Sequence, residues 1–267
     1  MRDDRLKPRT GFARLIRRPE FASLLGFVAI FIFFLAVAPA FRSFEAMATT
    51  LYASSTLGIV ALAVGMLMIG GEFDLSSGVA VTTAALAATM LNYNLHLNSW
   101  VGALLALGIS LAIGALNGFL VTRTGIDSFL ITLAAFLMLQ GLNLAITKLV
   151  TGQVATPTIA DMEGFPSAHT VFAGSFHIGD VRISVTVLWW ILFVAVASFV
   201  LFRTKFGGWI TAVGGNQDAA RAVGVPVRRV KILLFMGVGF AAWFVGMHTL
   251  FAFDSIQAGQ GVGNEFL

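Results

Sequence analysis

Two carboxylates, Glu72 and Asp74, stand two residues apart in the run Gly70, Gly71, Glu72, Phe73, Asp74, Leu75, Ser76, Ser77, Gly78, with long apolar sequence on either side. A carboxylate beside hydrocarbon is costly, so the pair needs a reason. Asp74 can accept from the free N–H groups at the start of a following helix, Ser76 and Ser77 can share that task, and the glycines let the backbone turn sharply. A second reading makes the stretch a broken helix end in a polar cavity, where Gly71, Glu72, Asp74, Leu75, Ser76 and Gly78 contribute to a transport path or its gate.

A second cluster lies in 206–226. Asn216 is a good N-cap, Asp218 falls in the first turn where the helix dipole favours a negative charge, Arg221 comes near the end, and Gly224 suits the position just past it. The pattern predicts a helix of about two turns, too short to be stable alone. Its apolar patch of Ala219, Ala220 and Val223 suits docking into another protein. The alternative is a loop held against lipid headgroups by Arg228, Arg229 and Lys231.

Other chemistry is sparse. Of the four histidines, His96, His169 and His177 fall in predicted loops, and none of the four forms a close ligand pair of the His-Glu-x-x-His kind. The absence of cysteine excludes disulfides, thiolate catalysis and cysteine-based metal or iron–sulfur sites. There is no Gly-x-x-x-x-Gly-Lys-[Ser/Thr] phosphate loop and no nucleophile–base arrangement, so the chain is not expected to be an enzyme, to hydrolyse ATP or to bind a cofactor or metal.

The elements that must position these clusters follow from composition. With 58% hydrophobic and 11% charged residues and a mean hydropathy of +0.89, the chain is too apolar for a water-soluble domain, and its solvent is lipid. Uninterrupted apolar runs occupy 21–41, 46–71, 75–91, 100–122, 128–147, 183–202 and 232–253. Each is long enough to cross a hydrocarbon core of about 30 Å, the third only just. Continuous apolarity without in/out alternation makes them helices, because lipid offers backbone groups no partners. The expected fold is all-α, a polytopic bundle of about seven spans. Arg-rich sequence before the first run, with Ala36, Val37 and Ala38 near its end, resembles a signal peptide, but Pro39 and the length of the run favour an uncleaved first helix.

The net charge of +4 is a topology signal here. With a cytoplasmic N-terminus, seven crossings place Arg2, Arg5, Lys7, Arg9, Arg14, Arg17, Arg18, Arg123, Arg203, Lys205, Arg221, Arg228, Arg229 and Lys231 inside, and only Arg42, Lys148 and Arg182 outside. The chain then divides into a basic cytoplasmic segment, 1–20, and a transmembrane domain, 21–267. Two long connections stand out: a glycine- and proline-rich outside segment, 149–182, and an inside segment, 203–231. Small residues mark helix contacts. Ala106, Ser110, Gly114 and Gly118 recur every four residues in the fourth run, Gly237/Ala241 and Ala242/Gly246 in the seventh, and Ala61/Gly65 in the second.

The run Gly71, Glu72, Phe73, Asp74, Leu75, Ser76, Ser77, Gly78 resembles the glycine-aspartate-leucine-serine signature of ribose-type ABC permeases, the branch serving ribose, xylose, arabinose, galactosides and related solutes. Gly214, Gly215 and Asn216, through Asp218, Ala219, Ala220 and Arg221 to Gly224, resemble that family's cytoplasmic coupling segment. Asn117 with Gly118, and 129–133, fit it too, and the likeness covers 57–267. The resemblance implies a bacterial inner-membrane importer subunit for a small sugar or related solute. It also implies a second permease subunit, two cytoplasmic ATPase subunits that use ATP and Mg, and a periplasmic binding protein. Glu72 departs from a usual glycine and Ser77 from a usual aliphatic residue. Because such permeases continue beyond the point matching Asn264, Glu265, Phe266 and Leu267, the chain is expected to be incomplete at its C-terminus. Rival readings are an ion-coupled secondary carrier and an intramembrane enzyme. The first is disfavoured by apolar runs free of Asp, Glu, Lys and Arg.

Overall fold

The computed structural model describes residues 19–179 and 181–259. The basic residues Arg2 to Arg18 and the terminal Asn264, Glu265, Phe266 and Leu267 lie outside the described residues. The chain divides into two compact units, Met1–Thr50 and Leu51–Leu267.

In the first unit, helix α1 (Pro19–Val37) leads through a 3-10 turn (Pro39–Arg42) into the first turns of α2 (Phe44–Ile69). Arg42 folds back and donates from Nε to the carbonyl of Leu35 (2.6 Å) and from Nη2 to that of Ala36 (2.8 Å), satisfying carbonyls that the end of α1 leaves free. Ser43 accepts from the N–H of Ala46 at the start of α2.

The second unit continues α2 and adds α3 (Ser77–Leu95), α4 (Ser99–Thr124), α5 (Ser128–Thr151), α6 (Phe165–Phe172), strands β1 (Ser175–Ile178) and β2 (Val181–Ser184), then α7 (Val185–Arg203), α8 (Lys205–Gly215), α9 (Gln217–Ala222) and α10 (Val227–Phe253). Short polar side chains start the helices. Asn98, Asp127, Ser184, Thr204 and Asn216 accept from the first free N–H groups of α4, α5, α7, α8 and α9. Gly125 (φ 70°) and Gly152 (φ 72°) close α4 and α5 in the left-handed region.

Among the described residues five helices, α2, α4, α5, α7 and α10, are long and apolar enough to cross a membrane. The first and third apolar runs are also helical, as α1 and α3. Most of α3 is buried by protein, so Thr82, Thr89 and Asn92 meet neighbouring helices rather than lipid, and the helix can be less apolar than a lipid-facing one. The expected all-α fold needs one correction. At the end of 149–182 and two residues beyond it, an antiparallel hairpin pairs Ser175 with Ser184 and Ile178 with Val181. It turns through Gly179 (φ 61°) and takes in Ile183, so α7 starts at Val185, where Ser184 leaves the strand and caps it.

The most intimate contact joins α4 and α10. Beside Gly114 lies the backbone of Phe235, beside Gly118 the Cα of Ile232, where a β-carbon would come within 2.8 Å, and beside Gly239 the carbonyl of Ser110. Ser110 Oγ donates to the Gly239 carbonyl (2.8 Å) and Trp243 Nε1 to that of Ala103 (2.8 Å). Close backbone approach is what small residues supply in a bilayer, where lipid tails compete with any apolar side chain. Other small-residue pairs behave differently. Gly246 rests on the carbonyl of Val81 in α3, but Gly65 and Gly237 face open space, so the expected helix contacts at those two positions are not made. The four-residue spacing alone does not say whether another helix stands opposite.

Candidate functional site

The α2 helix ends at Ile69, and its last carbonyls are taken by the N–H groups of Gly70, Gly71 and Glu72. Gly71 (φ 84°) occupies the left-handed region that lets the chain reverse. An irregular stretch then leads to α3 through a turn at Leu75 and Ser76, and hydroxyls at the start of α5 take two of its N–H groups. Ser128 Oγ accepts from Phe73 N and Thr132 Oγ1 from Leu75 N, each at 3.1 Å. Asp74 is 4% exposed. Its Oδ1 accepts from the N–H of Ser76 (2.8 Å) and from Ser76 Oγ (2.6 Å), which in turn receives Asn117 Nδ2 of α4 at 3.1 Å.

This corrects the expected capping. Asp74 does not reach the N–H groups inside α3, and Ser76, the residue before that helix, makes no side-chain cap bond. The carboxylate instead folds the connection upon itself, an Asx-type arrangement that competes with capping for the same oxygen.

At the other end of this connection the coupling-like segment forms two helices rather than one. Gly214 and Gly215 close α8. Asn216 separates the two helices, and its Oδ1 receives Asp218 N and Ala219 N at 3.0 Å to cap α9. Arg221 pairs with Asp218 at 3.2 Å on the surface, Ala220 is buried, and Gly224 (φ 85°) ends the element where the glycine was expected. Val223 is exposed.

The two motifs meet. Glu72 and Lys231, whose side chains are only 9% and 12% exposed, form an ion pair, and Lys231 Nζ also donates to Gln217 Oε1 of α9 at 3.0 Å. The space a β-carbon would need at Gly214 is filled by the Ile69 carbonyl, and the Cα of Gly214 lies 3.4 Å from where a β-carbon of Gly71 would be. A cavity of about 470 Å³ lies between them, bounded by Glu72, Asp127, Asn216, Arg221 and Lys231 among others. Nothing local in the sequence pairs Glu72 with Lys231, 159 positions later.

Phe73 and Asp74, on the opposite side of the break, help line a larger cavity of about 800 Å³ between α2, α3 and α10. This is within the usual size of small-molecule sites. Ser77, Thr82, Tyr52, His248 and Thr249 also line it. His248, the histidine that falls outside the predicted loops, is buried here and hydrogen-bonded through both ring nitrogens. Reading α2 and α10 as uniform apolar runs hid both Tyr52 and His248. Among the described residues no group of three or more His, Cys, Asp or Glu lies close enough to share a metal.

Comparison with known proteins defines the class: a multi-pass membrane component of an ABC transport system. The chain belongs to the family described as branched-chain amino acid transport system / permease component, whose profile matches residues 46–267. That family is a non-catalytic transmembrane component. Similar curated proteins include the ribose import permease protein RbsC of Escherichia coli K12, 27% identical over 248 residues that cover 92% of this chain and 74% of the relative. The L-arabinose transport system permease protein AraH of the same strain is 28% identical over 93% of this chain and 71% of the relative. The xylose/arabinose import permease protein XylH of Sulfolobus acidocaldarius is 30% identical over 87% of this chain and 63% of the relative. No solved structure matches the chain.

Proposed function

We propose that the chain is the membrane subunit of an ATP-driven importer that passes a small sugar or related solute, delivered by a periplasmic binding protein, through the cavity between α2, α3 and α10. One observation carries this reading: a single connection, 70–76, lines that cavity through Phe73 and Asp74 and touches the coupling-like segment through Gly71 and Glu72. Movement of α9 therefore has a short, stiff route to the cavity wall. The relatives named for ribose, arabinose and xylose import favour a pentose-sized cargo.

In this reading all seven apolar helices cross the membrane, the N-terminus and α8–α9 face the cytoplasm, and α9 docks on an ATPase subunit that carries ATP and Mg. The segment 149–182, with α6 and the hairpin, receives the binding protein. A second permease subunit completes the pathway. The exposed surface of α9 supports the docking role, and so does Gly215, beside which a β-carbon would meet open space. Gly215→Trp or Arg221→Glu should leave the subunit inserted but abolish uptake. Normal ATPase co-purification with normal uptake in both variants would refute the coupling role. A reporter fused at 216 and found in the periplasm would overturn the orientation, and absence of crosslinks from 149–182 to the binding protein during turnover would remove the receiving role.

The buried Asp74 at the cavity favours one rival, an ion-coupled carrier, since such carriers keep ionisable groups inside the membrane. Full uptake by ATP-depleted but energised vesicles would decide for it.

A further inference from the structure

We propose that Tyr52, held in place by His248, is a solute-contacting residue of the 800 Å³ cavity, and that its phenolic oxygen accepts a hydrogen bond from a hydroxyl of the cargo. The proposal rests on the importer reading for its cargo, and on the geometry below for its site.

His248 lies in α10 and is 2% exposed. Its Nδ1 is 2.8 Å from the carbonyl oxygen of Phe172 and 2.9 Å from Thr186 Oγ1, and its Nε2 is 2.9 Å from the hydroxyl of Tyr52. A carbonyl oxygen only accepts, so Nδ1 carries the proton. In the neutral imidazole Nε2 is then the acceptor, and Tyr52 donates to it. The hydroxyl proton of Tyr52 is thereby committed, and what its oxygen retains is acceptor capacity. Three helices fix this arrangement: α10 supplies the ring, α6 the carbonyl and α7 the threonine. The rings of Tyr52 and His248 meet edge to face at 5.4 Å, which fixes the tilt of the phenol as well as its hydrogen bond.

Tyr52 and His248 both line the cavity, with Thr249 beside them. Thr249 Oγ1 donates to the Val245 carbonyl and Thr56 Oγ1 to that of Ala53, so toward the cavity these two hydroxyls, like that of Tyr52, present acceptors. A purely structural histidine in a lipid-embedded bundle needs one partner per nitrogen, which protein groups away from a cavity could supply. Here one partner is an aromatic hydroxyl on the cavity wall. An acceptor on a rigid ring, with an apolar face beside it, suits a polyhydroxylated solute, whose O–H groups donate while its C–H faces pack on the ring.

The chain contains no cysteine, so a single cysteine placed in it can be followed on this subunit alone once the subunits are separated. Tyr52→Cys and, as a control on the outer surface of α4, Leu104→Cys (Leu104 is 62% exposed) are tested in vesicles carrying the whole transporter. A charged, water-soluble methanethiosulfonate is added with and without D-ribose, D-xylose or L-arabinose. Cys at 52 is expected to react at least tenfold faster than Cys at 104, and at least one sugar should slow it severalfold. Labelling no faster than at 104, or unchanged by all three sugars, would overturn the proposal. Slowed labelling in vesicles that take up none of the sugars would sink the importer reading and leave the site standing. Tyr52→Phe should reduce uptake severalfold, His248→Leu should match it, and His248→Gln, which can still accept from the phenol, should keep most of the rate. Equal losses in the Gln and Leu variants at normal membrane content would overturn the positioning role of His248.

Discussion

The α4–α10 seam and the α2 side of the large cavity are both built from apolar helices containing small residues, yet they are opposites in packing. In the seam Gly114, Gly118 and Gly239 bring backbone against backbone, and Ser110 and Trp243 bond across it. Along α2, Gly65 faces empty volume and the cavity opens beside Tyr52, Gly65 and Met68. The difference separates a closely packed frame from a loosely packed wall. A transporter needs both, because a site can change access only if one part of its lining shifts relative to another that does not.

Four single substitutions and one double variant test that contrast. The largest effect is expected where α10 meets the connection 70–76. Lys231→Met leaves Glu72 buried without its partner and should cost about 3–5 kcal/mol, read as a lower thermal midpoint in detergent. Adding Glu72→Gln should recover more than half of the loss, and no recovery would deny that the pair is the cause. Next comes Gly114→Ala, whose methyl would run into the backbone of Phe235, at about 1–3 kcal/mol. Ser110→Ala removes one interhelical hydrogen bond and should cost about 0.6 kcal/mol in the same assay. Last, and of opposite sign, is Gly65→Ala. With nothing near its β-carbon, the substitution gains helix propensity of up to about 1 kcal/mol at no steric cost. Equal destabilisation by Gly65→Ala and Gly114→Ala would erase the distinction between frame and wall.

Much of this was legible in the residues. Asn216, Asp218 and Gly224 marked a short helix because capping is a local matter between a side chain and N–H groups two or three positions away. The break at Gly70 and Gly71 was visible because only glycine takes a positive φ freely, and Gly71 does so. Each apolar run returned as a helix because a lipid-embedded backbone has no other partner for its polar groups. The hairpin at 175–184 was missed because its strands are only four residues each, too short for alternation to show against a turn-rich background.

Other features depended on where distant elements come to rest. Asp74 could have capped α3 or folded back on Ser76. The nearby hydroxyls of Ser128 and Thr132 and the amide of Asn117 belong to other helices and support the second outcome. Likewise the four-residue spacing of small residues was the same at Gly65 as at Gly114, and only a facing helix made one of them a contact.

What the sequence determined by itself is therefore the solvent, the helical character, the position of the break and the short capped helix, since each depends on a residue and its near neighbours. Only the tertiary structure decided that Glu72 finds Lys231, that Tyr52 finds His248, and that a single connection touches both the cavity and the coupling-like segment. These are meetings of residues tens to hundreds of positions apart, and packing in three dimensions selects them where no local pattern can.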